Sequence, residues 1–475
     1  RAGRPGGRGG GRVSARHYAI VGAGVAGIEA AAAVRAADAE GRITVLTDED
    51  WPYYSRIRIG EVVDGRVQPD QLALRMPGWY GEQRIDLRRG ARVEGIDASA
   101  RRLRLAGGEA LPYDALLLAT GARERFIPFT GWTLPGVLAA GAVQLLIKQS
   151  GVLPARDTIV AGAGLFLGAV AGDIRKSGGG VPAVLDEAPL RRRIPPPLLF
   201  ADQLLKFAQG GMLLTRLLSA GTRMRHGTRI IAAGGDERVR AVTAARVDRR
   251  GAVIPGSEMV LPASCLAVGF GFTANTELAQ LAGCRMVFDT ALGGWVVEVN
   301  EELETSVAGI YAAGEITAIG GAAKSLSEGR LAGLTILRRM GVRRAGGLEP
   351  KAQALRRTRR RQLGFARYFN AQHTFEPDWM RRWISGLSDE LIICRCEDVR
   401  LGDVRRAVAA GFDAPAGLKK ATRCGMGICQ GSTCKTILLE VLAAMTGQPL
   451  ARLPLPSVRI PVKPVALGAL AGETP

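Results

Sequence analysis

Five of the seven cysteines crowd into one region: Cys394 and Cys396 in IICRCEDV, and Cys424, Cys429 and Cys434 in TRCGMGICQGSTC. The first two spell CxC. Cys429 with Cys434 spells CxxxxC, and so does Cys424 with Cys429. Thiolates at such spacings on glycine-bearing loops can ligate a metal or run thiol redox chemistry. The remaining cysteines, Cys265 and Cys284, lie far off in apolar contexts. An extracellular disulfide framework distributes its cysteines otherwise, so the reading is a reducing, cytoplasmic compartment and one metal or redox site. The two groups of thiols meet only if the intervening segment, with the helical LGDVRRAVAAG, folds back on itself.

A different chemistry is written near the start. HYAIVGAGVAGIEAAAAVRAADAEGRITVLTDED predicts a strand ending at Val21, a glycine turn, an alanine-rich helix and a second strand ending at Asp48. Gly22 makes the tight turn. Gly24 lets a pyrophosphate approach the helix N-terminus, where unpaired N–H groups and the dipole favour an anion. Gly27 lets the helix pack on the strand. Asp48, or Glu49 beside it, would accept from ribose hydroxyls. A glycine loop alone occurs in many α/β proteins, but strand, helix and acid in register argue for a dinucleotide site.

DTIVAGAGLFLGAVAGDIRKSGGGVPAVLDEAP repeats the pattern with Gly162, Gly164 and Asp186. Leu167 replaces the third glycine and is expected to push the helix off the strand. The fold should recur; whether NADH, ATP, a second flavin or nothing occupies it stays open. Three further segments end strands in turns: YDALLLATGARE at Ala119, Thr120 and Gly121, SCLAVGFGFTANTE near Gly269 and Asn275, and GIYAAGEITAIGG at Gly314 and Glu315.

With 475 residues, 47% hydrophobic and 23% charged, the chain has room for several domains. Its net charge of +20 comes without any nucleic-acid-binding signature, so no nucleic-acid partner is expected. No apolar run is long enough for a membrane span, though peripheral attachment to the inner face of a membrane stays open. The Gly- and Arg-rich opening, residues 1–16, reads as a disordered basic leader. ALRRTRRRQLGFARYF reads as part of a helical linker, with an arginine face that is solvated or meets an acidic partner. The three histidines, His17, His226 and His373, are scattered and form no triad.

Two glycine turns, an ATG strand end and a late AAGE resemble the two-dinucleotide-domain flavoprotein reductases. The resemblance implies FAD on the first domain, with Glu315, where the family has Asp, near the ribityl and phosphate region. WPYYSRIRIGEVVDG resembles NADH-dependent rubredoxin and nitrite reductases and places Arg56 near the pyrophosphate. From FIPFTGWTLPGVLAAGAVQLLIKQSGVLP onward, through DTALGGWVVEVNEELETSVAGIYAAGE and VRIPVKPVALGALAG, the chain resembles the α subunits of opine or octopine oxidase, hydrogen cyanide synthase and dye-linked proline dehydrogenase. The cysteine segment resembles the bacterioferritin-associated-ferredoxin-like module, which binds a [2Fe-2S] cluster. Four thiolates are what two bridged tetrahedral irons take from protein. The resemblance, through GMGxCQGxxC, implies Cys394, Cys396, Cys429 and Cys434 as ligands, with Cys424 the alternative. Structural zinc is the competing reading.

The expected architecture is α/β. Two Rossmann-like dinucleotide-binding domains, the second (126–257) inserted in the first (17–125 and 258–345), precede a linker (346–387), a small helical iron–sulfur domain (388–450) and a tail (451–475). The resemblance implies an FAD-dependent oxidoreductase that relays electrons from an amine-oxidising flavoprotein β subunit to an acceptor. The alternatives are a stand-alone NADH-dependent reductase and a non-catalytic iron-sensing subunit.

Overall fold

The computed structural model describes residues 16–50, 75–197, 204–342, 347–372 and 377–465, with Leu199 and Leu467. Arg56, His373 and the leader before Arg16 lie outside the described residues.

Short apolar runs buried on both faces make parallel strands. His17–Val21 and Ala115–Leu118 are buried at every position. They centre a five-stranded parallel sheet in the order Ile310–Ala312, Ala115–Leu118, His17–Val21, Arg42–Leu46, Ile85–Arg88. A second five-stranded parallel sheet runs Arg223–His226, Ala183–Asp186, Thr158–Gly162, Cys265–Gly269, Val137–Ala139. Each packs against a three-stranded antiparallel sheet. The chain crosses between the two domains on an antiparallel ribbon, Ala122–Glu124 with Phe272–Ala274. The second domain is therefore an insertion in the first. Cys265–Gly269 pairs on both edges within the second sheet, so the return to the first domain falls past Gly269 rather than at 258.

The first helix, Val25–Ala37, lies against the late helix, Ala322–Arg339, at a separation that only glycine permits. A Cβ on Gly329 would sit 2.2 Å from the Ala26 carbonyl oxygen, and one on Gly333 would sit 2.8 Å from that of Ala30. The late helix also carries a charged pair with no solvent exposure. Lys324 Nζ lies 2.8 Å from Glu328 Oε2. The same carboxylate oxygen accepts from Gly314 N at 2.9 Å and from Thr317 Oγ1 at 2.8 Å. Its other oxygen accepts from Arg359 Nε at 2.8 Å.

Arg359 belongs to the bridging helix, Glu349–Ala371, which is the helix expected in the linker. Three of its arginines meet acids of the chain itself. Arg356 pairs with Glu302 and Glu349, Arg359 with Glu328, and Arg360 with Glu301.

The C-terminal module comprises helices Pro377–Ser385, Leu401–Ala409, Pro415–Thr422 and Lys435–Thr446, with a small ribbon at Ile392–Cys394. Its apolar core is continuous with that of the second domain. At the join, Trp132 Nε1 donates to the Ile392 carbonyl at 2.8 Å and Arg125 pairs with Glu440. The tail then runs back over the first domain, where Ile460 fills the space above Gly95 and Val462 packs on the core. Among the described residues no helix is long and apolar enough to cross a membrane.

Removing one partner of a buried pair leaves a desolvated charge. Glu328→Gln is therefore expected to lower the unfolding free energy by about 3–5 kcal/mol, read from urea denaturation. A loss of about 1 kcal/mol or less, the size of an exposed pair, would show that Glu328 does not hold this region together.

Candidate functional site

Three turns leave the C-terminal ends of three adjacent strands of the first sheet: Gly22–Gly27, Ala119–Gly121 and Gly314–Glu315. In an open α/β sheet this is the crevice where ligands lie. Gly22 has φ +109°, and a Cβ there would sit 2.2 Å from the Ala119 carbonyl oxygen. A Cβ on Gly27 would sit 2.0 Å from the Gly22 carbonyl oxygen. Gly24 differs. It caps the first helix without a side-chain partner and faces open space, with nothing within 4 Å of an added Cβ. The first-turn N–H groups are thus available to an anion. Asp48 and Glu49 are exposed just past the second strand. Thr120 is tied to Asn275 twice: its hydroxyl donates to the Asn275 carbonyl at 2.7 Å, and Asn275 Nδ2 donates to the Thr120 carbonyl at 2.9 Å. This cradle fits a dinucleotide of the FAD type.

Glu315 Oε1 accepts from Gly321 N at 2.7 Å and Gly320 N at 3.3 Å, at the start of the late helix. Burial pushes its pKa up. Gly314 is held on both sides by the buried pair, since Lys324 Nζ donates to its carbonyl at 2.8 Å while Glu328 takes its N–H. Neither Lys324 nor Glu328 stood out in the sequence. Their spacing of four along a helix is the signal that could have found them.

The second domain repeats the turn but fills it differently. Gly162 has φ +133°, and a Cβ there would sit 2.0 Å from the Gly269 carbonyl oxygen. Leu167 is buried in a core beneath the helix. Gly269 leaves room for it, because a Cβ there would lie 3.2 Å from Leu167 Cδ2. Asp186 is 3% exposed. One oxygen accepts from Ala188 N at 3.1 Å, and the other lies 3.1 Å from His226 Nδ1. The next residue, Glu187, is buried against Arg229 at 3.2 Å, and that guanidinium lies over the Trp383 ring. Both acids at this strand end are engaged within the protein.

The structure brings the cysteines together as two groups. The sulfurs of Cys394, Cys424 and Cys434, all buried, lie within 4.8 Å of one another, with Cys394 and Cys434 at 3.7 Å. Cys396 and Cys429 form the second group, each acting on the other's thiol. Hydrogen bonds from Cys424 and Cys434 push the Cys394 pKa down. Glycines at 425, 427 and 431 stand among the cysteines. The N–H of Gly425 bonds to Cys394 and that of Gly431 to Cys429. A Cβ on Gly427 would sit 2.4 Å from Cys396 Cβ. From the tail, Lys463 Nζ donates to the Cys429 carbonyl at 3.0 Å. A donor set of five thiols in two clusters fits a thiolate-bound metal centre.

Sequence reasoning missed Glu277, which lies between Arg123 and Lys435. Burial acts to raise its pKa, but Lys435 and Arg123 outweigh it and hold the carboxyl far below the usual range. Its partners come from distant segments, so no local pattern marks it. Beside this group and the cysteines lies a cavity of about 330 Å³ walled in part by Lys419, Lys420, Met426 and Arg459.

Residues 16–332 match the pyridine nucleotide-disulphide oxidoreductase family, and residues 390–473 match the sarcosine oxidase A3 domain. Hydrogen cyanide synthase subunit HcnB of Pseudomonas aeruginosa is 34% identical over 371 residues, 77% of this chain and 78% of the relative. An opine oxidase subunit from Rhizobium meliloti is 31% identical over 476 residues, 95% of this chain and 86% of the relative. The crystal structure of L-proline dehydrogenase from P. horikoshii shares the fold, with a TM-score of 0.62 at 18% identity, covering 96% of this chain and 80% of that one. Cradle, sheet order and sequence agree: the chain belongs to the pyridine nucleotide-disulphide oxidoreductase family, is a homologue of hydrogen cyanide synthase subunit HcnB and of an opine oxidase subunit, and is an FAD-dependent oxidoreductase.

Proposed function

We propose that this chain is the FAD- and [2Fe-2S]-containing electron-transfer subunit of an amino-acid or opine oxidoreductase. A separate flavoprotein β subunit oxidises the C–N bond, and the chain passes the electrons to an acceptor. The observation that carries this reading is the convergence of five thiols in a module packed onto a flavoprotein fold, in a chain whose relatives are named as subunits of hydrogen cyanide synthase and opine oxidase. A bound flavin takes electrons in pairs and releases them singly, and an iron–sulfur centre carries one.

Each residue then has a task. Gly22, Gly24 and Gly27 admit the pyrophosphate, with Arg56 expected nearby. Asp48 or Glu49 takes the ribose. Ala119, Thr120, Gly121, Gly314 and Glu315 shape the crevice. Two irons need two thiolates each. Cys394, Cys434, Cys396 and Cys429 would supply them, with Cys424, in the same buried group as Cys394 and Cys434, the alternative ligand. The engagement of Asp186 by His226 and of Glu187 by Arg229 supports a donor other than NADH. Gly162 and Gly164 keep the nicotinamide-type turn, and this favours the second reading, a stand-alone NADH-dependent reductase.

The chain purified alone without oxygen separates the two. Its flavin is expected to stay oxidised on addition of NADH and to bleach with dithionite. Rapid bleaching by NADH, followed by reduction of the metal centre, would establish the stand-alone reductase instead.

Single alanine variants test the ligand set. Replacing Cys394, Cys396, Cys429 or Cys434 is expected to abolish iron, sulfide and visible absorbance from the centre, while Cys424→Ala keeps them. Loss in Cys424→Ala with retention in Cys434→Ala would give the position to Cys424. Stoichiometric zinc in a protein without sulfide would end the iron–sulfur reading.

A further inference from the structure

Three charged side chains from distant segments meet between the flavin-side crossover and the cysteine centre. Arg123 lies on the strand Ala122–Glu124, just past the Ala119–Gly121 turn. Glu277 opens the helix Glu277–Leu281. Lys435 follows Cys434 and begins the helix Lys435–Thr446. Arg123 donates to the two oxygens of Glu277 at 2.6 and 3.2 Å, and Lys435 Nζ donates to the same carboxylate at 2.8 Å. Arg123 also donates to Asn275 Oδ1 at 2.9 Å, and Asn275 is the residue bound twice to Thr120. One chain of hydrogen bonds thus runs from the turn at the flavin crevice to the neighbour of Cys434.

The three side chains are 19%, 17% and 10% exposed, in the order Arg123, Glu277, Lys435. Charges so placed are weakly screened by solvent and salt. Two cations and one anion leave an excess of one positive charge beside Cys434. When a thiolate-bound iron–sulfur centre takes up an electron it becomes one charge more negative, and fixed charges nearby tune how readily it does so. A cation next to a ligand sulfur favours the reduced form. An anion that neutralises the cation opposes it.

We propose that Arg123, Glu277 and Lys435 form a positioning triad that docks the cysteine centre against the flavin-side turn and sets its electron affinity. Lys435 raises that affinity and Glu277 lowers it. This rests on reading the cysteines as an iron–sulfur centre. A triad that served only to glue two modules together would affect stability, but it would not move the potential in opposite directions when its anion and its cation are removed.

The test uses the full chain with its centre reconstituted anaerobically. It is titrated with dithionite against dyes of known potential, following the visible absorbance and the EPR signal of the centre. Glu277→Gln is expected to shift the midpoint to higher potential and Lys435→Met to lower potential, with Lys435→Arg restoring the parent value. Shifts of the same sign, or no shift in variants that retain iron, would overturn the proposal. If Glu277→Gln fails to assemble, Lys435→Met against Lys435→Arg decides, and equal midpoints overturn it. A parent chain that binds no iron or sulfide overturns the iron–sulfur reading itself, and the proposal with it.

Discussion

Glu328 has no contact with solvent, and four groups converge on it: the N–H of Gly314, the hydroxyl of Thr317, the ammonium of Lys324 and the guanidinium of Arg359. A carboxylate in such a place must be compensated in full, because desolvation costs more than any single contact returns. The compensation dictates much of the architecture. Lys324 reaches back from the same helix and fixes the turn at the flavin crevice. Arg359 reaches in from the bridging helix, so that helix must lie along the flavin domain. The glycines at 329 and 333 then let the late helix press onto the first helix, whose N-terminus faces the anion site. One buried charge thus joins the crevice to the segment that leads to the cysteines.

The two dinucleotide folds show which constraints are shared and which have been released. In each, the first glycine of the turn approaches the carbonyl at the end of the neighbouring strand: Gly22 toward Ala119, Gly162 toward Gly269. No other residue fits there, because a Cβ would overlap backbone and φ is positive at both positions. Further along, the folds part. The first domain keeps Gly27 against the Gly22 carbonyl, and its acids Asp48 and Glu49 remain at the surface. The second takes a leucine at the corresponding place and accommodates it with Gly269 on the adjacent strand. Its acids are turned onto His226 and Arg229. Turn geometry has been retained while the groups that would meet a ribose have been drawn into the protein's own network.

These differences mark how far the sequence could be read. Both glycine turns, the ATG and AAGE strand ends and the thiol-rich loops are local patterns, and each lies where its spacing placed it. What escaped is non-local. Cys265–Gly269 is an apolar run that suits either sheet; only its pairing with Thr158–Gly162 and Val137–Ala139 assigns it to the second. The arginines of the bridging helix read as a solvated face or one that meets an acidic partner; Arg360 is exposed, but Arg356 and Arg359 turn onto Glu302 and Glu328, which are remote in sequence. Asp186 repeats the place of Asp48, and nothing nearby in the chain announces that His226 lies against it. Burial of a charge is decided by what folds over it, and no local window contains that information.

The cysteine centre has two unlike sides, and this bears on its role. Cys394, Cys424 and Cys434 are each about 1% exposed and stand on the side of Lys435, Glu277 and the flavin-side crossover. Cys396 is exposed, and Ile428, next to Cys429, is 78% exposed. For the relay proposed above, one set of thiols would face a donor within the chain and the other an acceptor outside it. Glu277 lies between Lys435 and Arg123. Lys419, Lys420 and Arg459 line the adjoining cavity together with Glu277, Lys435, Cys424 and Cys434, where their positive field would draw an acidic surface.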